Sequence, residues 1–104
     1  MAKPHILPLS KPQALGLVRE LAAESANVVF TTHARKRMRL RKVTPLAVLE
    51  CLRRGVIIEG PAMGIKGLWE VALERMGAGR RLRVAIALDP PRRVIVVTVY
   101  EVKT

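Results

Sequence analysis

Arg81-Leu82-Arg83-Val84-Ala85-Ile86-Ala87-Leu88 decides the fold of this 104-residue chain. Leu82, Val84, Ile86 and Leu88 alternate with Arg81, Arg83, Ala85 and Ala87, the period-two pattern of a strand with one buried face. Upstream, Leu68 to Met76 repeats the pattern, with Trp69, Val71 and Leu73 on one side. Gly77-Ala78-Gly79 between the two runs reads as a hairpin connection. Downstream, Asp89-Pro90-Pro91-Arg92 reads as a turn. Arg93 to Val102 is β-branched on both faces and predicts a central strand covered on both sides. Val56-Ile57-Ile58-Glu59 supplies one more strand, with a turn expected at Gly60-Pro61.

Before residue 56 the apolar spacing is helical. Ser10 is placed to cap a helix that begins with Lys11 and Pro12, and Leu15, Val18, Leu21 and Ala22 carry its stripe to about Ser25. Asn27 ends it. Val28-Val29-Phe30 is a short β-prone segment, and Thr31 or Thr32 caps the basic helix beyond. Thr44 and Pro45 restart a helix whose buried stripe is Val48, Leu49 and Leu52, and Gly55 after Arg53-Arg54 stops it. The order predicts one α+β domain in which N-terminal helices pack on one face of a four-stranded antiparallel β-sheet meander. Residues 1–9 read as a flexible start, 10–27 as an additional helix and 28–102 as the core. If the register permits, the other sheet face shows Arg81 and Arg83 beside Thr98 or Tyr100.

Nineteen Lys and Arg stand against eight Asp and Glu, a net charge of +11. Such an excess points to a polyanionic partner, nucleic acid first, because neutralising phosphates releases counterions. An acidic protein partner would also answer it. No apolar run approaches the roughly 18 residues of a membrane span, and the start lacks a signal-peptide core, so a cytoplasmic protein is expected. Cys51 is the single cysteine and sits among apolar residues of a helix, where it reads as core filler. His5 and His33 are too few for a metal site, and no phosphate-binding loop or dinucleotide fingerprint occurs. No cofactor is expected. Aromatic residues make up 3% of the chain, too few for a base-stacking platform.

The charge is concentrated in Thr31-Thr32-His33-Ala34-Arg35-Lys36-Arg37-Met38-Arg39-Leu40-Arg41-Lys42-Val43-Thr44, where six of the eight residues from Arg35 to Lys42 are cationic. On a helix His33, Arg37 and Arg41 recur on one side. They set a titratable imidazole beside two permanent cations, a combination suited to gripping or cleaving a phosphodiester. The plain alternative is a solvated basic helix. In the chemical reading His33 is a base or acid, and Arg37 and Arg41 hold the phosphate. Tyr100 donates a proton or stacks on a base, and Thr98 bonds a phosphate oxygen. Arg35, Lys36, Arg39 and Lys42 supply diffuse attraction, with Arg81 and Arg83 as a second basic strip. The competing assignments are ion pairs of the helix arginines with Glu70 or Glu74, packing for Thr98 and Tyr100, and core for Trp69.

Phe30-Thr31-x-His33-Ala34-Arg35-x-Arg37-Met38-x-x-Arg41-x-Val43-Thr44, then Gly55-Val56-Ile57 and Val94-Ile95-Val96-Val97-Thr98-Val99-Tyr100, resembles the "domain of unknown function 4258" family of small bacterial proteins over roughly residues 28–101. Leu40 departs from its pattern, standing where relatives usually carry a polar or acidic residue. The resemblance places the chain near RelE/ParE-like toxins and other metal-independent ribonuclease folds. It implies a helix pair on a four-stranded antiparallel sheet, often encoded with an antitoxin. The expected function is a toxin-like endoribonuclease acting on RNA, possible ribosome association included, and held by an acidic antitoxin. A non-catalytic nucleic-acid-binding or regulator-binding module on the same fold is the alternative.

Overall fold

The structure is a computed structural model that describes residues 9–77, 79–90 and 92–102. The residues expected to form the flexible start, His5 among them, fall outside it except Leu9, as do Ala78 and Pro91 of the two turns. Three helices and five strands follow in the order α1 (Lys11–Ala22), β1 (Val28–Phe30), α2 (Thr32–Arg41), α3 (Pro45–Arg54), β2 (Val56–Met63), β3 (Trp69–Gly77), β4 (Arg80–Asp89) and β5 (Arg93–Val102). Among the described residues no helix is long and apolar enough to cross a membrane.

Each helix starts where its capping chemistry allows. Ser10 and Gln13 form a reciprocal capping box ahead of α1, with Pro12 in the first turn. Thr44 accepts the Ala47 amide at 3.1 Å and opens α3. The first helix closes at Ala22, earlier than the sequence suggested, because a short 3-10 turn at Ser25–Asn27 takes over. There Asn27 donates its side-chain amide to the Leu21 carbonyl at 3.1 Å. The ends of α1 and α3 are stitched together by arginines, a favourable use of cations at helix C-termini. Arg53 donates to the Ala22 carbonyl at 2.8 Å, and Arg19 donates to Gly55 at 3.0 Å. Gly55 is required there: a Cβ would strike the Cys51 carbonyl and come within 2.8 Å of the Glu74 carbonyl.

The sheet order is β1-β5-β4-β3-β2. Strands β2 to β5 form the antiparallel meander that the alternation predicted. The expected four-stranded antiparallel sheet is nonetheless incomplete. Val28–Phe30 is a fifth strand, parallel to β5 with Val28 opposite Val94 and Phe30 opposite Val96, so the sheet is mixed. Strand β2 also runs past the expected Gly60-Pro61 turn to Met63. It accommodates that pair, joined by a cis bond, through two register shifts against β3, and the turn falls at residues 64–68 instead.

All three helices contribute to one core with Val71, Leu73, Leu82, Val84, Ile86, Leu88, Val94, Val96 and Val99. Trp69 is half-buried and packs against it, as a core residue should. Cys51 is 1% exposed, and burial pushes its thiol up to about 12. Val48 and Leu52 are fully buried in α3, with Leu49 half-buried beside them. The second sheet face is not covered as β5 had suggested. Its residues include Ala72, Ala85, Thr98, Glu74, Arg83 and Tyr100, and Val97 is 40% exposed. β-Branching reports a strand, and it does not report how many of its faces are buried.

Candidate functional site

Strand β5 has a bulge where it meets α2. Ala85 pairs with Thr98 and Ile86 with Val96, so Val97 has no partner opposite on β4. Two successive carbonyls there serve one residue. Thr31 donates its amide to Val96 at 3.1 Å and its hydroxyl to Val97 at 3.2 Å. The same hydroxyl accepts the Ala34 amide at 3.0 Å, which makes Thr31 the N-cap of α2. A bulge re-aims a strand locally, and here it fixes the start of the basic helix against the sheet edge.

At the other end Arg80 pins the helix. Its guanidinium donates to the Lys42 carbonyl at 3.1 Å, to the Arg41 carbonyl at 2.6 Å and to Glu101 at 3.2 Å. Lys42 adopts the left-handed conformation that closes α2, at φ 55°. The helix thus runs alongside β5, from Val97 towards Glu101.

His33 is on the first turn, exposed, with Nε2 3.2 Å from the Thr98 hydroxyl. Thr98 lies on the open sheet face, next to Ala85. One residue pair further along β5, Glu74, Arg83 and Tyr100 form a row across three strands. Glu74 Oε2 accepts from Arg83 Nη2 at 2.8 Å and Nε at 3.2 Å, while Oε1 lies 3.9 Å from Arg81 Nε. Hydrogen bonding to Glu74, and after it to Tyr100, raises the Arg83 pKa above the ordinary guanidinium value. The Arg83 guanidinium sits 5.8 Å from the Tyr100 ring centroid, within cation–π range.

Arg37 is one turn beyond His33, about 6 Å along the helix. Tyr100 is two residues beyond Thr98, about 7 Å along the strand. The parallel course of the two elements therefore sets half-buried Arg37 level with Tyr100. Arg41 is a further turn away and exposed, and it belongs with the Arg80 clamp through its carbonyl.

His33 and Thr98 are in direct contact, and Arg83 and Tyr100 are cross-strand neighbours, as the alternation allowed. Arg81 and Arg83 do lie on the face that carries Thr98 and Tyr100, but they share the Glu74 carboxylate and are not a free basic strip. Glu74 is therefore not a partner of Arg37 or Arg41. Lys36, Arg39 and Lys42 are exposed, while Arg35 lies over the Phe30 ring at 5.8 Å. Arg80 escaped the sequence reading because nothing in a residue following a hairpin reveals a clamp on a distant helix. Glu74 was visible only as a charge on an alternating strand, and its partner depends on register.

Neither a curated protein nor a solved structure matches this chain. The family model described as "Domain of unknown function (DUF4258)" matches residues 30–101, from the end of β1 to the end of β5. That span holds the basic helix, His33, Thr98 and the Glu74–Arg83–Tyr100 row, and the chain belongs to the DUF4258 family.

Proposed function

We propose that this protein is a toxin-like, metal-independent endoribonuclease, kin to the RelE/ParE-like toxins, that cleaves RNA through attack by the 2′-hydroxyl. The observation that carries the reading is an exposed imidazole held by Thr98 at 3.2 Å, one residue pair along β5 from the Arg83–Tyr100 row and one helical turn before Arg37. Such cleavage needs a base, a cation for the crowded phosphate and an acid for the leaving oxygen.

When His33 donates from Nε2 to Thr98, its Nδ1 lone pair is free for the substrate. Nδ1 takes the 2′-hydroxyl proton, the 2′-oxygen attacks phosphorus, and the 5′-oxygen leaves. Tyr100 returns a proton to that oxygen, and Arg83 beside the ring stabilises the phenolate left behind. Arg37 holds the non-bridging oxygens, with Arg41 further out. Arg35, Lys36, Arg39 and Lys42 draw in the polyanion. In the cell the same cationic helix suits an acidic antitoxin, in the cytoplasm and at RNA-rich assemblies.

A second reading, a nucleic-acid-binding or regulator-binding module without catalysis, is favoured by the paired state of Arg83. Incubation of the purified protein with RNA in EDTA separates the two. Fragments ending in 2′,3′-cyclic phosphate are expected. Salt-dependent binding with no cleavage would leave only the module.

A further inference from the structure

The open sheet face is hollowed between β2 and β5 into a groove of about 490 Å3. That volume falls in the range of small-molecule clefts, roughly 300–1,000 Å3. Its floor is alanine: Ala72 on β3 and Ala85 on β4 stand side by side, and Thr98 with His33 continues the row on β5. Val97, exposed at the bulge and next in sequence to Thr98, forms the β5 wall.

The far wall is acidic. Glu70 and Glu59 line it, both exposed, and neither accepts a hydrogen bond or pairs with a cation among the described residues. Every other carboxylate of the sheet faces an arginine: Glu74 faces Arg83, Glu101 faces Arg80 and Asp89 faces Arg93. The Glu70 carboxylate leans against the neighbouring turn. That carboxylate lies where the Cβ of any residue other than glycine at position 64 would stand. The groove thus offers acceptors at one end and a small-residue floor in the middle, and past its lining the Ala72–Ala85 row continues through Thr98 to the imidazole of His33. Thr98 and Glu70 are two strands and one pair-step apart, about 12 Å between backbones.

A ligand complementary to this arrangement carries an anion at one end and hydrogen-bond donors on a flat group at the other, which describes a nucleotide. Among the common bases only guanine presents two adjacent donors, N1–H and the exocyclic amino group, to one carboxylate. Adenine and cytosine place a ring acceptor beside their amino group, and uracil flanks its N3–H with two carbonyls. Each of these would set a lone pair against the Glu70 oxygens. Building on the ribonuclease reading above, we propose that the groove selects a guanine of the RNA chain, its base lying on Ala72 and Ala85 and bonded to Glu70. Glu59 provides a further acceptor at the rim.

Titrating the full chain with the four nucleoside 3′-monophosphates and with inorganic phosphate tests this. The guanosine form should bind about tenfold tighter than the others, the scale of one net hydrogen bond to a charged acceptor. Glu70→Gln should bring it level with the rest while inorganic phosphate binds as before. Equal affinity for all four bases would overturn the guanine site and leave the phosphate site standing. A guanosine preference without phosphate binding would instead remove the ribonuclease reading and keep the base site. Preference surviving Glu70→Gln would overturn the assignment of that residue. In an RNA oligomer with one guanosine, cleavage beside it and none after its replacement by adenosine is expected. Base preference confined to free nucleotides would overturn the claim that the occupant belongs to an RNA chain.

Discussion

Helix α2 and strand β4 both carry dense positive charge, yet they use it in opposite ways. On β4, Arg80, Arg81 and Arg83 each stand within 4 Å of a carboxylate, at 3.2, 3.9 and 2.8 Å. Arg80 also holds two main-chain carbonyls. On α2 and its cap, Arg35, Lys36, Arg37, Arg39, Arg41 and Lys42 pair with no carboxylate among the described residues. Cations that are paired and half-buried fix structure, whereas unpaired cations clustered on one helix create a field for a ligand. The net charge of +11 therefore overstates how much cation is spread over the surface and understates how concentrated the free part is.

The contrast breaks most visibly through function. Arg37→Ala should lower RNA cleavage by about 10²-fold, the scale for removing one donor to a transition-state oxyanion. Arg83→Ala tests the paired side at the same row and should cost both activity and stability. If Arg37→Ala cleaves normally while Arg83→Ala does not, the strand and not the helix carries the phosphate.

Next in size is Arg80→Ala. It removes three hydrogen bonds that seat the end of α2, and a loss of roughly 1–3 kcal/mol is expected. For a domain of this size each kcal/mol lowers the melting temperature by about 4–8 °C. Lys36→Ala and Arg39→Ala should leave the melting temperature unchanged. Each should reduce the slope of log affinity against log salt for single-stranded RNA by about 0.7. Equal destabilisation by all three variants would erase the difference between the two regions.

Much of this architecture can be read in the chain. Alternation at Leu68–Met76 and Arg81–Leu88 marked two strands, and Ser10, Thr44 and the Thr31-Thr32 pair, of which Thr31 is the cap, marked helix starts through ordinary cap chemistry. Val28–Phe30 read as β-prone, but its place as a fifth strand stayed hidden because three residues are too few to display a period and its parallel partner lies more than sixty residues away. The length of β2 was hidden by Gly60-Pro61, which usually means a turn and here lies within a strand. Of the site, His33 and the helix arginines stood out by spacing. Thr98 became a partner only through the bulge at Val97, and no composition rule places a bulge. The Glu74–Arg83 pair needed register, which a sequence pattern leaves open.

The smallest effect concerns the interior beneath α3. Burial raises the Cys51 thiol to about 12 from 9.0, so the folded chain keeps it protonated. A raised value means that this contribution to stability is complete below pH 9 and is lost between pH 9 and about 12. Thiol labelling at pH 8 should therefore be slow until denaturant unfolds the chain. Rapid labelling of Arg80→Ala, with the wild type protected, would show that the clamp also guards the core.

The most direct measurement compares the rate of RNA cleavage by His33→Ala with that of the wild type, in EDTA and at equal folded fraction. His33 is exposed, so its removal should leave the fold intact. The rate should fall by at least about 10²-fold, the contribution of a positioned acid or base. Cleavage at the wild-type rate, with cyclic phosphate ends still formed, would contradict the assignment of the imidazole to the chemistry.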